Sequence, residues 1–421
     1  MNAVVVIVEE EFIKSSHHFG KSGDLAIVDY FIRQGWQVFL LNANFMKGES
    51  IPQSIYKVVS YNDTFYEAMV QEWENILNKK TPSYSCERLK VNLELHEVSL
   101  FNVQNFLLIS RVMPQSLTQQ FLYNFNTLKK IAKASIQNME DICLYKDKVI
   151  PYLLQKNNIH NIQTIYSNNV VKFKTDITND YSSLALATDI INIDQISDSD
   201  IVNIDEKICI KPFNLFGGIG VKVFNKSNKE TIIQHLRSIR KFFAQYNIVE
   251  EKLVLLQEVV QFPEFGDIRV LFSYGKFIGA FKRFEPNAQI HNTMYGGSII
   301  PICRSDFLFD SEFPHKYHQP LLEAIQMLIS LNTESRFLMN EFVCGYDLLL
   351  TECNGQLQFK LTETNIACPT GFAFLDAANL FVFYKKKPTL ESVKEYFHNN
   401  QRTIDIVMNN VHKSLLSIAL I

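Results

Sequence analysis

The sequence predicts a chain of several α/β and α+β domains that begins with an open, mostly parallel sheet. Residues 3–8 form a short apolar run, residues 24–34 carry helical apolar spacing before Gly35, and residues 36–42 are apolar again. This order is typical of a β-α-β unit. From about residue 136, short strands alternate with helices and polar loops. A chain of 421 residues has room for about two to four domains.

Composition excludes several classes of partner. The 41 basic and 44 acidic residues give a formal net charge of −3, which argues against nucleic acid as the main partner. The seven cysteines are scattered without a CxxC pair, which favours a reducing, cytoplasmic location over a disulfide framework. The N-terminus lacks the basic region of a signal peptide, and no apolar stretch approaches the ~18–20 residues of a membrane span. A soluble cytoplasmic protein without a membrane partner is therefore expected.

The first domain is predicted to span residues 1–135. A strand at 105–110 closes its core, and residues 46–100 are interpreted as a polar, irregular elaboration with a helix at 63–79.

The later strands are predicted from apolar, β-branched and aromatic runs. These runs cover residues 208–213, 253–260, 268–274 and 276–284. The last two are expected to form a hairpin, and Asn354-Gly355 indicates a second one between residues 346–353 and 356–363. Residues 386–421 are predicted to be an additional helical tail whose apolar face buries against the body or a second subunit.

A phosphate site is one interpretation of Lys211 and the glycines that follow it. The lysine ends a predicted strand, and Gly217, Gly218 and Gly220 come before the next strand. Glycines let backbone N–H groups approach phosphate oxygens, and lysine supplies a compact positive charge. On its own the pattern fits an ordinary turn about equally well.

A metal site is one interpretation of the second hairpin. Asp347 lies on one strand, and Glu363 and Asn365 share a face of the other. Oxygen ligands of this kind suit Mg²⁺ that bridges nucleotide phosphates. Glu-x-Asn alone has no diagnostic value, because about one chance match is expected in a chain of this length.

Two arginines stand in otherwise apolar strands. Arg269 follows Gly266-Asp267, and Arg283 follows Lys282. They either lie on a solvated sheet face or contact a phosphate or carboxylate, which the guanidinium group fits.

Taken in order, these residues resemble the ATP-grasp superfamily and, within it, most closely bacterial glutathione synthetase. Residues 211–221 resemble the lysine and glycine-rich lid loop, and residues 257–272 the adenine hinge and its Gly-Asp-x-Arg strand. Residues 282–297 resemble the segments around the reacting carboxyl, and residues 361–371 the metal-binding Leu-Thr-Glu-x-Asn segment. More weakly, residues 106–114 resemble the end of the family's first domain.

The resemblance implies an ATP-grasp fold with an N-terminal Rossmann-like, or pre-ATP-grasp, parallel-sheet domain. The lid or central subdomain would cover residues 136–255 and the C-terminal catalytic subdomain residues 256–385. Residues 1–135 would be the Rossmann-like domain, and residues 386–421 lie outside the resemblance.

The resemblance also implies a nucleotide site for ATP. Its residues would be Lys148, Lys211, Gly217, Gly218, Gly220, Glu258, Val260 and Asp267. The lysines would hold the α- and β-phosphates, and the glycines would close over the β- and γ-phosphates. Glu258 and Val260 would offer backbone groups to the adenine edge, and Asp267 would help to position the nucleotide.

The implied metal is Mg²⁺, with Mn²⁺ as a substitute, bound by Asp347, Glu363 and Asn365. The implied substrates are a small-molecule or short-peptide carboxylate and an amine, joined by an EC 6.3 type ligase through an acyl phosphate. Residues implied to face the carboxyl and the acyl phosphate are Arg269, Arg283, Asn292, Gly296 and Gly297. A homo-oligomer, dimer or tetramer, is compatible with the sequence.

Departures from the family pattern leave three hypotheses open. The family's Arg-x-Asp-Pro-Pro turn is Arg111-Val112-Met113-Pro114-Gln115 here, so its acid is lost. Its Arg-Gly-Asn stretch is Ile290-His291-Asn292, so one basic residue is lost. Glutathione synthetase, with γ-glutamylcysteine and glycine as substrates, is the leading hypothesis. A related ligase that uses another carboxylate and amine in peptide modification or natural-product synthesis is the second. A nucleotide-binding protein without ligase activity is the third.

Overall fold

The computed structural model describes most of the chain. The described residues are 2–14, 18–61, 66–67, 70, 88–91, 93–112, 117–137, 139, 148–155, 162–166, 169–173, 177–193, 207–212, 220–225, 228–245, 253–260, 262, 265–284, 298–311, 313–366, 375–376, 379–380, 383–384 and 386–419. Within this part of the chain, no helix combines the length and the hydropathy that a membrane crossing requires.

The N-terminal part of the chain forms a six-stranded sheet and a small two-stranded ribbon. Its elements are β1 (Ala3–Val8), α1 (Glu10–Lys14), β2 (His18–Lys21), α2 (Ser22–Arg33), β3 (Gln37–Asn42), β4 (Ser54–Tyr61), β5 (Arg88–Val91), β6 (Leu93–Ser99), β7 (Phe106–Arg111), α3 (Gln119–Ile131) and β8 (Ala134–Ser135). The sheet order is β6-β4-β3-β1-β7-β8, and β2 pairs with β5. Strand β1 runs parallel to both β3 and β7, which confirms the predicted β-α-β opening.

The interpretation of residues 46–100 as irregular was wrong where β4, β5 and β6 form. Strands β4 and β6 pair antiparallel with each other, β4 pairs antiparallel with β3, and β6 is the edge strand of the sheet. Alternate side chains of β4 serve opposite cores, since Ile55 packs in one apolar cluster and Tyr56 and Val58 in another. Only residues 66–67 and 70 of the predicted helix at 63–79 are described, so that prediction lies mostly outside the described residues.

The central part of the chain is a four-stranded antiparallel sheet covered by one long helix. Its elements are α4 (Val149–Gln155), β9 (Ile162–Tyr166), β10 (Asn169–Phe173), β11 (Thr188–Asn192), β12 (Lys207–Pro212), β13 (Lys222–Asn225), α5 (Lys229–Gln245) and β14 (Leu253–Glu258). The sheet order is β11-β14-β12-β13, while β9 and β10 pair separately. Alternate apolar residues of β12 and β14, such as Ile210 and Leu256, pack with Ile232 and Leu236 of α5. Because strand residues alternate in direction, Lys211 and Gln257 point to the opposite face.

The third part of the chain is a five-stranded antiparallel sheet of order β17-β16-β15-β18-β19. Its elements are β15 (Asp267–Ser273), β16 (Lys276–Phe284), β17 (Ser298–Arg304), α6 (His318–Glu334), α7 (Arg336–Met339), β18 (Cys344–Cys353) and β19 (Gln356–Asn365). One face supplies Val270 and Leu348 to a core that also contains Leu321 and Ile325 of α6. Asp267, Arg269, Arg283 and Asp347 are held together on this sheet by ion pairs.

Both predicted hairpins are confirmed. Tyr274 and Gly275 join β15 to β16, and Asn354 and Gly355 join β18 to β19. All four turn residues have positive φ, as the tight hairpin turns predicted there require.

The tail forms two helices, α8 (Leu390–Asn399) and α9 (Thr403–Ala419), that pack on the chain's own N-terminal sheet and α2. Their apolar faces, including Val393 and Met408, join a core with Val6 and Phe31. Arg402, between the two helices, donates to Asp29 of α2 at 2.6 Å, and both side chains are almost fully buried. Of the two predicted partners for this face, the structure shows the chain's own body.

One sheet with a parallel centre is followed by two antiparallel sheets. The predicted class, α/β and α+β with an open, mostly parallel sheet at the start of the chain, is confirmed.

Candidate functional site

Two buried lysines meet at the C-terminal end of β12. Lys211, on this strand, donates from Nζ to the hydroxyl of Thr362 in β19 at 2.5 Å. Lys148, just before α4, donates from Nζ to the carbonyl of Pro212 at 2.9 Å. Lys148 is 2% exposed and Lys211 8%, so both ammonium groups lie largely out of bulk water. The structure thus brings together two lysines that are 63 positions apart (211 minus 148) in the chain.

Glu363 is the sequence neighbour of Thr362, the residue that Lys211 contacts. It directly follows Thr362 in β19, and it pairs in register with Asp347 of β18. The thiol of Cys209, two residues before Lys211, interacts electrostatically with Lys211, Lys148 and Glu363. Burial raises the pKa of this thiol, and the two lysines oppose that increase. The pKa of the buried Cys209 thiol is therefore affected by both lysines and by the predicted metal-binding carboxylate.

A cluster of four buried charges lies next to Glu363 on the five-stranded sheet. Arg269 donates to both oxygens of Asp347 at 2.7 Å, and Arg283 donates to Asp267 at 2.6 and 2.9 Å. The Nη2 atom of Arg283 also lies 2.8 Å from Asp347 Oδ2. The formal charges of two arginines and two aspartates cancel. This balance is what allows four ionised groups to be buried side by side.

The two aspartates of this cluster have different pKa shifts. Burial alone would raise the pKa of Asp347, but the charges of Arg269 and Arg283 outweigh it, so the pKa is lowered. Burial dominates at Asp267 and raises its pKa. The negative charge of Asp347 adds to this increase, and Arg283 opposes it. Asp347 is therefore the more firmly ionised of the pair, as a metal ligand should be.

The predicted metal ligands meet, and their chemistry fits a hard cation. Asp347 and Glu363 are register partners, and Asn365 donates from Nδ2 to Asp347 Oδ2 at 3.2 Å. Two carboxylates and an amide oxygen are the donor types that Mg²⁺ prefers. Both oxygens of Asp347 accept from Arg269, so coordination by this residue would require the arginines to give up part of those contacts. The described residues contain no group of three or more His, Cys, Asp or Glu side chains that could bind a metal.

Two hydrogen bonds to Ala187 hold Glu258 of the predicted adenine hinge in place. The N–H of Glu258 donates to the carbonyl of Ala187 at 2.9 Å, and the Ala187 N–H donates to Glu258 Oε1 at 2.9 Å. Since this N–H is already used, only the carbonyl of Glu258 could serve an adenine edge. Val260 is buried two residues later. The adenine role of both residues stays a prediction.

Of the predicted loop glycines, only Gly220 is described. Its φ is +71°, and a Cβ there would lie 2.7 Å from Pro212 Cγ, so only glycine fits this position. The predicted residues Gly217, Gly218, Asn292, Gly296 and Gly297 lie outside the described residues.

Three residues near this site have roles that the sequence did not predict. Thr362 and Gln257 contact each other, and Thr362 contacts Lys211. Gly266 has a φ of +89°, and a Cβ there would lie 2.3 Å from the Arg283 carbonyl oxygen. The glycine therefore permits the close approach of β15 and β16 at the Asp267–Arg283 pair. Its place directly before Asp267 and Arg269 is a signal that could have singled it out.

Comparison with known proteins gives likenesses of fold only. No protein-family model and no curated protein matches the chain by sequence. Among solved structures, the VanG D-Ala:D-Ser ligase from Enterococcus faecalis is 11% identical, with a TM-score of 0.49, over 94% of this chain and 98% of that one. D-alanyl-alanine synthetase A from Vibrio cholerae O1 biovar eltor str. N16961 is 12% identical, with a TM-score of 0.48, over 99% of both chains.

The D-cycloserine synthetase DcsG is 10% identical, with a TM-score of 0.48, over 91% of this chain and 100% of that one. At TM-scores and identities of this size, such likenesses do not establish an activity for this chain.

Proposed function

We propose that this chain is an ATP-dependent ligase that joins a carboxylate to an amine through an acyl phosphate. The observation that carries the proposal is the hydrogen bond from Lys211 to Thr362. Because Glu363 directly follows Thr362 in β19, this bond supports a site that combines a cation suited to phosphate with a carboxylate suited to Mg²⁺. The proposal extends to a glutathione synthetase-like enzyme. The resemblance to that family implies this, and it lies in residues 211–221, 257–272, 282–297 and 361–371.

In the first step, a carboxylate oxygen of the substrate attacks the γ-phosphorus of ATP, and the bond to the bridging oxygen of ADP breaks. The nucleophile and the phosphates repel each other, so positive charge is needed where they meet. Lys148 and Lys211 would offset the charge on the α- and β-phosphates from their buried positions. When bound at Asp347, Glu363 and Asn365, Mg²⁺ would supply further neutralisation of the phosphates.

Arg269 and Arg283 would orient the reacting carboxylate. Each guanidinium is already fixed by a two-point ion pair, Arg269 to Asp347 and Arg283 to Asp267. Arg283 keeps its pair with Asp267 when a metal binds Asp347, and a guanidinium held in this way needs little reorganisation as charge develops, which is the basis of electrostatic catalysis.

In the second step, the amine attacks the acyl carbon, phosphate leaves with the carbon–oxygen electrons, and the nitrogen loses a proton. The tetrahedral oxyanion would be stabilised by Arg283 and Asn292, with Gly296 and Gly297 allowing close backbone approach. Water would hydrolyse the acyl phosphate, so closure of the loop that contains Gly217, Gly218 and Gly220 is expected.

The substrate pair is the finer part of the proposal. γ-Glutamylcysteine and glycine are the leading pair, since the resemblance to glutathione synthetase implies them. The altered turn at residues 111–115 motivates a related ligase with another pair. Arg111, at the altered turn, is buried and donates to Asp24 of α2 at 2.9 Å. Asp24 thus gives Arg111 a carboxylate partner in a chain that lacks the acid of the family's turn.

The proposal is tested by measuring ADP and phosphate release from Mg·ATP with γ-glutamylcysteine and glycine, and then with panels of dipeptides, amino acids and amines. Wild type should turn over with at least one pair and form the amide in equal amount. Lys211→Ala should lose at least tenfold in kcat/KM for ATP. Lys207→Ala, an exposed lysine on the same strand, is the matched control and should keep wild-type activity.

The other outcomes separate the alternatives. Turnover with a different acid and amine, but not with the glutathione precursors, would favour the related ligase. Tight ATP binding with no amide product from any pair would contradict the ligase proposal and favour a nucleotide-binding protein.

A further inference from the structure

We infer that Thr362 and Gln257 are positioning residues that aim Lys211 at the nucleotide phosphates. This inference rests on the proposed function and adds two residues to its site. Thr362 is 6% exposed and Gln257 2%, so both act from within the protein. Each lies on a different sheet, Gln257 on β14 and Thr362 on β19.

A β-bulge gives Thr362 its direction. Asp347 pairs with Glu363, but the next residue of β18, Leu348, pairs with Leu361, so Thr362 is the extra residue in β19. A bulge changes the side-chain direction that a regular strand would impose and is common beside active sites. Here it keeps Glu363 opposite Asp347 and also turns Thr362 towards Lys211.

The hydrogen bonds around Thr362 run in one direction. Lys211 Nζ has only protons to give, so the Thr362 hydroxyl must accept at 2.5 Å. The Thr362 hydroxyl in turn donates a hydrogen bond to Gln257 Oε1 at 2.6 Å. This fixes the amide orientation, since Gln257 Nε2 donates to Thr188 Oγ1 at 3.0 Å and to the Thr362 carbonyl at 3.2 Å. Thr188 in turn donates to the carbonyl of Leu186 at 2.8 Å.

This chain of bonds holds the lysine without neutralising it. With described residues, Lys211 forms a hydrogen bond to a neutral hydroxyl and no ion pair. Its positive charge is therefore left for an anionic ligand, while one of its three N–H groups is fixed by the protein. Fixing the ammonium group before the ligand arrives lowers the entropy cost of binding a phosphate.

The test compares the affinities of wild type and variants for ADP and AMP by calorimetry, in Mg²⁺ buffer. If Lys211 is aimed at the β-phosphate, Thr362→Val should weaken ADP binding by about tenfold and leave AMP binding within about twofold. Thr362→Ser keeps the hydroxyl and should restore the ADP affinity. A role in folding alone would not change the ratio of the two affinities.

A control and a second variant accompany this comparison. Thr364, on the same strand as Thr362, has a buried hydroxyl with no hydrogen-bond partner among the described residues. Thr364→Val should therefore bind both nucleotides as wild type does. Gln257→Met removes the acceptor of the Thr362 hydroxyl and should weaken ADP binding several-fold, which keeps the test available if Thr362→Val does not fold.

Equal ADP-to-AMP ratios in wild type and Thr362→Val, or a parallel loss of both affinities, would overturn the inference. Those results leave the ligase proposal standing, because wild type still binds nucleotide. A wild-type protein that binds neither ADP nor AMP would contradict the proposed function, and the inference with it.

Discussion

Four charged side chains share one buried patch of the five-stranded sheet, and none of them can be neutralised alone without cost. Asp347 accepts from Arg269 and also pairs with Arg283. Removing its charge leaves two arginines with a single remaining aspartate. Breaking a buried ion pair on one side typically costs about 3–5 kcal/mol.

Asp347→Asn should therefore lower the free energy of unfolding by about 3 kcal/mol, measured by urea denaturation at pH 7. Asp306→Asn changes an exposed carboxylate in the same part of the chain and should stay within about 0.5 kcal/mol of wild type. If the two variants were equally stable, the cluster would not hold this sheet face together.

A substitution at Gly266 tests whether the close approach of β15 and β16 supports the Asp267–Arg283 pair. Gly266→Ala should strongly destabilise the protein or prevent folding, because its Cβ would meet the Arg283 carbonyl at 2.3 Å. Gly355→Ala is the matched control: its φ is also positive, at +77°, but nothing lies within 4 Å of the added atom. The control should cost only about 1 kcal/mol. Equal melting temperatures for the two variants would show that the steric contact is unimportant.

The residues named from sequence and those missed differ in what determines them. Lys211, Glu363 and Asn365 belong to short motifs, so their types and order were visible without a structure. Thr362 owes its direction to a bulge, and a bulge depends on the register between β18 and β19. Gln257 matters because of a contact with another sheet. Neither property is encoded in a local pattern.

At the scale of elements, the N-terminus of α9 is joined to the body through a buried carboxylate. Asp376 Oδ1 accepts from the N–H of Thr403 at 2.7 Å and from its hydroxyl at 2.5 Å. Burial raises the pKa of Asp376 to about 6, against the lowering effect of Arg402. The folded state therefore binds this proton more tightly than the unfolded chain, whose aspartate has a pKa of about 3.9.

A raised carboxyl pKa makes this group's contribution to stability fully present below about pH 4 and lost as the pH rises through about 6. Asp376→Asn keeps the acceptor and cannot ionise. Relative to this variant, wild type should lose about 2–3 kcal/mol of unfolding free energy between pH 4 and pH 7. Urea midpoints at half-unit pH steps measure this difference.

Glu391→Gln, an exposed carboxylate of α8, serves as the control and should follow the wild-type pH profile. Parallel profiles for wild type and Asp376→Asn would mean that Asp376 ionises as freely in the fold as in the unfolded chain.

Elements with strong local signals were predicted closely. The Asn354-Gly355 turn fixed one hairpin, and β16 spans the residues expected for it, Lys276–Phe284. Strands β4 and β6, at one end of the sheet, were missed because polar residues such as Lys57 and Glu97 alternate in them with apolar ones. The alternation was present in the sequence, but the surrounding polar segments obscured it.

On the scale of the whole molecule, the tail ties the third part of the chain to the first. Its apolar face shares one core with β1, α2 and residues of the five-stranded sheet such as Leu271 and Phe281. Deleting residues 386–421 should expose this core, so the shortened chain should melt well below full-length protein and aggregate, as followed by calorimetry and light scattering. An unchanged melting temperature would show that the tail adds nothing to stability.

The opening parallel sheet and the two later hairpins were predictable from sequence, whereas the way the sheets meet was not. Contacts such as that of Gln257 with Thr362 join residues 105 positions apart. The positions of the lysines relative to Glu363 therefore became visible only with the fold.

The central claim is that one Mg–nucleotide binds between Lys148 and Lys211 on one side and Glu363 on the other. A crystal structure of the protein with a non-hydrolysable ATP analogue and Mg²⁺ tests it directly. The account predicts the α- and β-phosphates within hydrogen-bond distance of the two ammonium groups and the metal coordinated by Glu363. A nucleotide found elsewhere on the molecule, with no phosphate at Lys211 and no metal at Glu363, would contradict it.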